Sequence, residues 1–451
     1  MKKIAVVSVV LLLVSSLSLF VGCKKQQGPQ AKTEKVQVNY SFWGTPDEAA
    51  EVQKVADKFN GSQGSIQVTV VQIPHDTYEA TLNTRATAGT LPDCGIMSEA
   101  ATLQYATNGM LADVSGMYAP GESKPLDSLA FRGPDGKVVA YSVANEILLL
   151  YYNKDMFDKA GVPYPPSSAD KAWTWDEFVA AAKKLTLDAN GRNPGAQGFD
   201  RNRIVQYGAM VETLTWQLEV WALSNGGGFY SSDGKQVTID QNAAIDAIQK
   251  VADLHLKDFV APLSPGLTDD GIQRSIIAGT VAMATGGQWN VGTCLATARD
   301  KEGLNYGVAV LPKMKDLVTI NTGGPNVVFS QSKHQKEAME WLKWYAQEEN
   351  SWFLIESGIW MPVLSKWYTD ETYTKKWVQN PNFPPYDEYK SAVVDFAAKY
   401  ARPTSWYYVN NTIDFNNLLQ STLGEIWTGS KTAREAITAN AAALRRAHQG
   451  Q

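Results

Sequence analysis

Little in this chain can hold a metal. Its 451 residues include three cysteines and four histidines, and His75, His255, His334 and His448 stand at no ligand spacing. A zinc or iron site of ordinary design is excluded, and no cofactor is called for. Positive charge is also in short supply. Lys and Arg number 41 against 46 Asp and Glu, for a net charge of −5 without any basic stripe. Nucleic acid therefore has no electrostatic footing here. Past residue 21 no apolar run approaches the roughly 20 residues that a membrane span needs. No G-x-S-x-G elbow and no metal-hydrolase motif occurs, so nothing specific supports catalysis. Aromatic residues, by contrast, are plentiful, with 14 tryptophans and 19 tyrosines.

The front of the chain indicates the compartment. A basic start, Met1-Lys2-Lys3, precedes an apolar stretch over residues 4–21 and then Gly22-Cys23. This is the pattern of a secretory signal over residues 1–22, with retained anchoring or plain secretion as the rival readings. A small residue before cysteine resembles the lipobox of bacterial lipoproteins, although Phe20 stands where leucine is usual. The resemblance implies lipid on Cys23, a flexible polar tether over residues 23–35, and a body held outside the cytoplasm at a membrane surface. The remaining cysteines, Cys94 and Cys294, either pair or stand as two buried thiols.

Strands and helices then alternate. Residues 36–43 (VQVNYSFW) alternate as a strand, residues 47–60 have helical spacing with acids in the first turn, and residues 66–72 form a second strand. A helix over 76–88 and a strand over 91–97 follow, which predicts an α/β layer with a parallel sheet. Thr174 with Glu177 reads as a capped helix start. Further helices are expected over 241–257, 335–348 and 431–448.

Several runs carry a resemblance. These are FWGTPDEAAEVQKVADKFN, AGTLPDCGIM, YYNKDMF, TWDEFVAAAKKL, AGTVAMATGGQW, NYGVAVLP and ARPTSWYY, in that family's order. The chain resembles the sugar-binding, maltose-binding-protein-like solute receptors of bacterial ABC importers. That implies an α/β, type II periplasmic-binding-protein-like fold, two lobes joined by a multi-segment hinge with a ligand cleft between. Lobe 1 would hold residues 36–144 and 312–358, and lobe 2 residues 145–311 and 359–451. Crossings are expected near residues 144–148, 307–312 and 358–363. It implies a non-enzymatic monomer that closes on a carbohydrate and hands it to permease subunits.

Sugars present flat C–H faces edged by hydroxyls, so aromatic rings beside short polar groups at strand ends are the candidates. In VAMATGGQW (281–289), Trp289 is the expected stacking platform, with Gln288 beside it and glycines keeping the approach clear; the rival is core packing. Glu146 and its neighbour Asn145 lie at the first crossing. Trp43 and Asp47 follow the first strand, where Asp47 could equally cap a helix. Of Trp216 and Trp221, one should face the cleft and the other pack. By resemblance Trp406 stacks sugar, and Arg402 either contacts ligand or makes a salt bridge within its lobe. Gly324 and Asn326, in GGPN, and Trp360 are weaker candidates, the Gly-Gly-Pro being equally a plain turn. Ala100 and Ala101 stand where maltose-binding members of the family place an acid and a base, which leaves Ser98 or Glu99 to substitute and puts maltose itself in doubt.

Two rivals remain. One is a secreted glycoside hydrolase using Glu146 and Glu212 as paired carboxylates. The other keeps the fold but binds a polyamine, phosphodiester or peptide.

Overall fold

A computed structural model describes residues 34–43, 46–74, 77–263, 273–350, 352–409 and 412–450. The leader, Cys23 and most of the tether lie outside these, as does the side chain of Asp47.

The first sheet grows from the expected βαβαβ run. Strand β1 (Val36–Trp43) pairs in parallel with β2 (Ile66–Ile73) from Val36 against Ile66 to Trp43 against Ile73. Helix α1 (Pro46–Ser62) connects them, and α2 (Tyr78–Ala88) leads to β3 (Cys94–Ile96), also parallel to β1. Helix α3 (Glu99–Thr107) follows. Strands β4 (Ala130–Arg132) and β5 (Val138–Ser142) complete that side, in the order β2-β1-β3-β12-β5-β4. The inserted β12 (Pro325–Val328) arrives antiparallel from far along the chain.

The second sheet is built around β6 (Glu146–Asn153), whose inner residues are all buried, as expected of a strand covered on both faces. Its order is β13-β11-β6-β9-β8-β7, with β10 (Tyr306–Ala309) also on β6. Here β7 is Leu187–Asp188, β8 Ile204–Met210, β9 Val281–Gly287, β11 Thr319–Thr322 and β13 Ala401–Pro403. Helices α4 (Lys154–Ala160), α5 (Trp175–Leu185), α6 (Thr215–Ser224) and α7 (Asn242–Leu256) pack with it. The cap expected at α5 is a full capping box. Thr174 Oγ1 accepts from the Glu177 amide at 3.2 Å, and the Glu177 carboxylate accepts from the Thr174 amide at 2.8 Å.

Each sheet has its own hydrophobic core. Cys94 is buried in one and Cys294 in the other, and neither is in a disulfide. The chain passes between sheets along paired segments. Ser142 pairs with Pro325 at the end of the first sheet, the Val143 amide donates to Gly324 O at 2.9 Å, and Glu146 pairs with Thr322 at the start of the second. A third segment joins them, with Met361 bridged to Asn145 and Leu364 to Pro125.

The second passage differs from its expected place. Residues 308–311 and Ile320 belong to the second core, so the chain changes sheets at Gly323-Gly324 rather than near 312. The physical reason is local. Gly323 has φ +146°, and any Cβ there would overlap the Ala144 carbonyl. The Gly-Gly read as a possible turn is the point where two passages cross in contact.

Candidate ligand cleft

Three tryptophans far apart in sequence meet at the end of the second sheet. Trp216 is the second residue of α6, Trp289 follows β9, and Trp406 sits in the 3-10 turn Ser405–Tyr407. The ring of Trp216 lies 6.4 Å from that of Trp289 at 33° and 5.8 Å from that of Trp406 at 41°. All three are only partly buried. An α-helix turns 100° per residue, which puts Trp221 on the opposite face of α6 from Trp216. Trp221 is 2% exposed and edge-on to Trp175 at 5.0 Å, so it is a core residue and leaves the ligand set.

The glycines before Trp289 act differently from the expectation. A methyl on Gly287 would overlap Cη2, Cζ2 and Cζ3 of Trp289, well under 3.0 Å. The bare position accommodates the indole itself. The Gly287 carbonyl accepts from Tyr151 Oη and Asn290 Nδ2, each at 2.9 Å, which holds this seat in place. Gln288 points inward. It is fully buried, with Nε2 donating to Gly358 O at 3.0 Å and Tyr389 Oη at 3.1 Å. Gln288 thus braces the third passage from within the core.

The first sheet contributes Trp43, edge-on to Tyr78 at 5.7 Å. A Cβ on Gly324 would come within 3.1 Å of the Trp43 ring and 3.0 Å of Ile96. Gly324 therefore seats Trp43 much as Gly287 seats Trp289. Ser98 caps α3, accepting from the Ala101 amide at 3.2 Å, and its hydroxyl also meets the Glu79 carboxylate. Glu99 reaches across to the second passage, where Oε1 accepts from Thr322 Oγ1 at 2.5 Å and the Gly323 amide at 3.1 Å.

Glu146, half-buried, opens β6 opposite Thr322. Both Glu99 and Glu146 act on the Tyr407 hydroxyl, which burial first, and these acids after it, hold well above the usual phenol range. Tyr407 Oη also shares a 2.7 Å hydrogen bond with Ser142 Oγ, and its ring stacks on Phe131 at 3.8 Å. Tyr407 is thus planted in the first core while its neighbour Trp406 faces Trp216.

Other candidates lie apart. Asn145 is buried, donating from Nδ2 to Tyr368 Oη at 2.9 Å, and so joins the first passage to the third. Asn326 Oδ1 accepts from Tyr40 Oη at 2.7 Å inside the first core. Trp360 packs on the second core beside the third passage. Arg402 is exposed in the middle of β13. Thr322, Ser142, Tyr407 and Glu79 join the site although nothing in their spacing marks them. Among the described residues no cluster of three metal-ligating side chains occurs, and no helix is long and apolar enough to cross a membrane.

The profile of the bacterial extracellular solute-binding proteins matches residues 54–385. The chain belongs to that family. An sn-glycerol-3-phosphate-binding periplasmic protein of Agrobacterium fabrum is 26% identical over 392 residues, 81% of each chain. Among solved structures, the cyclic alpha-maltosyl-1,6-maltose binding protein of Arthrobacter globiformis superposes with a TM-score of 0.74 at 22% identity, covering 93% of this chain and all of that one. The GacH receptor of Streptomyces glaucescens, solved unliganded and with acarbose, gives 0.70 at 20% identity over 92% and 99% of the two chains. The fold is that of the type II periplasmic binding proteins, with two sheet-containing α/β lobes. As a member of its family, this solute-binding protein is an extracytoplasmic component of an ABC transporter.

Proposed function

We propose that this solute-binding protein takes a mono- or oligosaccharide onto the Trp216, Trp289 and Trp406 rings and delivers it, unreacted, to the membrane permease. One observation carries the reading, namely three partly exposed indoles from three separate elements converging at the end of the second sheet. Indoles that large are left near solvent where a flat apolar surface is to cover them. Trp43 on the first sheet supplies an opposing aromatic edge, and closure about the three passages would bring the lobes together on the ligand.

The nearby charges favour a neutral ligand. Glu99 and Glu146 both stand at the second passage by Thr322, so a phosphate bound there would face two acidic side chains. That argues against the anionic ligand named for the Agrobacterium relative. The hydrolase reading is weakened by Glu212, which is 2% exposed with one carboxylate oxygen accepting from Gln217 Nε2 at 2.6 Å. A catalytic acid pair has to reach the glycosidic bond. Anchoring through lipid on Cys23 and a monomeric state belong to the same proposal.

The test is a titration of purified protein with neutral oligosaccharides, glycerol 3-phosphate and spermidine, read by tryptophan emission and melting temperature. Saturable binding of a saccharide, with a raised melting temperature and no product, is the expected result. Turnover, or binding confined to the phosphate or the polyamine, would overturn the reading.

A further inference from the structure

Beneath the tryptophans lies an acid that ligand contact does not use. Glu219 follows Trp216 by three residues on α6, so the two side chains share one flank of the helix. It is 1% exposed, and neither carboxylate oxygen has a hydrogen-bond partner. Such a group is destabilising where it stands, more so when charged. The donors that favour its charged form are the hydroxyl and amide of Ser405 and the amide of Phe229. Ser405 immediately precedes Trp406. The contact between α6 and the 3-10 turn therefore has two ends: Trp216 against Trp406 at the surface, and Glu219 against Ser405 within.

We propose that Glu219 is a positioning residue for the tryptophan platform, its ionisation setting how closely the turn carrying Trp406 seats on the helix carrying Trp216. This rests on the platform being the ligand site. Burial is the largest influence on the Glu219 carboxyl and pushes it up to about 7, with the Ser405 and Phe229 donors pulling the other way. The side chain thus changes charge near neutrality. In its neutral form it sits in a dry contact. Once ionised it needs solvation, and water entering between α6 and the turn spreads the two indoles. Affinity for the ligand consequently falls as pH rises through about 7.

The other groups facing Glu219 are Tyr230 and Tyr408, each held protonated by burial. Arg402 acts on Tyr408, and His448 lies 5.4 Å from Tyr230 with the rings tilted at 47°, supplying the imidazole of this group. His448→Gln is therefore the control.

The experiment measures Kd for the best saccharide of the panel between pH 5.5 and 8.5 in the parent, Glu219→Gln and His448→Gln. The parent should weaken about tenfold across that range, the change produced by one unit of difference in the carboxyl's pKa between free and bound forms. Glu219→Gln, neutral and of the same shape, should be flat at the acid-side affinity, while His448→Gln keeps the parent's slope. A flat parent, or a slope retained in Glu219→Gln, overturns the proposal. Tryptophan emission of the ligand-free parent, titrated over the same range with Trp406→Phe as reference, tests it without ligand. A titrating signal that Trp406→Phe abolishes supports the seating role even if no sugar binds, and its absence refutes it. Failure of the carbohydrate reading is thereby told apart from failure of this one.

Discussion

Gly287→Ala isolates the seat of Trp289 from everything around it. The new methyl would overlap three atoms of the indole at under 3.0 Å, where carbon atoms prefer roughly 3.5–4 Å. Something must yield, and the backbone is poorly placed to do so. Gly287 is paired with Leu148 in the centre of the second sheet, and its carbonyl is held by Tyr151 and Asn290. Its φ is not in the left-handed region, so alanine meets no backbone penalty of its own. The strain therefore falls on the indole, which is free to swing about its two side-chain torsions toward the cleft. Holding a side chain some 30° from a rotamer costs about 0.5–1.5 kcal/mol. Losing ring alignment with a ligand face removes about 0.5–1.5 kcal/mol more. Together these weaken binding by about 1–3 kcal/mol, or roughly 5- to 150-fold. Calorimetric titration with the saccharide selected by the panel gives that number directly, and a thermal melt should show a fold hardly changed. Binding within about twofold of the parent, less than the 1.4 kcal/mol that makes a decade, would refute the reasoning. So would a melt as damaged as that of a core tryptophan variant, since the ring would then be packing and not platform.

Trp221→Ala should destabilise the fold by about 3–5 kcal/mol through the cavity it leaves, whereas Trp216→Ala and Trp406→Ala should weaken ligand binding with little loss of melting temperature. Comparing melts and affinities for the three separates core from platform. Gly323→Ala forces a side chain into φ +146° and onto the Ala144 carbonyl, so it should lower stability well beyond an ordinary surface change, as read by urea unfolding. Glu348 is 1% exposed and accepts from the amides of Val363 and Leu364 at 3.2 and 2.9 Å, tying the first lobe to the third passage. Burial raises its carboxyl from 4.5 to about 7. The folded state thus binds this proton more tightly than the unfolded chain. Its contribution is full below about 4.5 and is lost as pH rises to about 7. Glu348→Gln keeps an acceptor for the amides and should flatten that part of the stability profile between pH 5 and 8; an unchanged slope would rule Glu348 out as its source.

Much of this was readable along the chain because it depends on short-range pattern. Alternation in VQVNYSFW, acids and caps at helix starts, and the Thr174–Glu177 box all concern residues within a turn or two of each other. The tryptophan excess likewise pointed to an aromatic surface, and SWYY and GGQW each contributed a ring to it. Harder to read was the direction of individual side chains. Trp216 and Trp221 share one helix and similar neighbours, and only what packs on each face separates platform from core. Gln288 and Asn145 look like cleft residues from their flanks, yet both turn inward to bond Gly358 and Tyr368, 70 and 223 residues away. Ser98 was expected near a ligand but caps a helix.

What the sequence by itself determined is the kind of element each segment forms and the abundance of indole available, because propensity, capping and periodicity act between neighbours in the chain. Tertiary structure alone decided that β11 joins the second sheet while β12 joins the first, and that the rings of Trp216, Trp289 and Trp406 come together. The reason is that these contacts join residues from about 70 to more than 200 positions apart, whose meeting depends on which passages cross and which glycines let them touch.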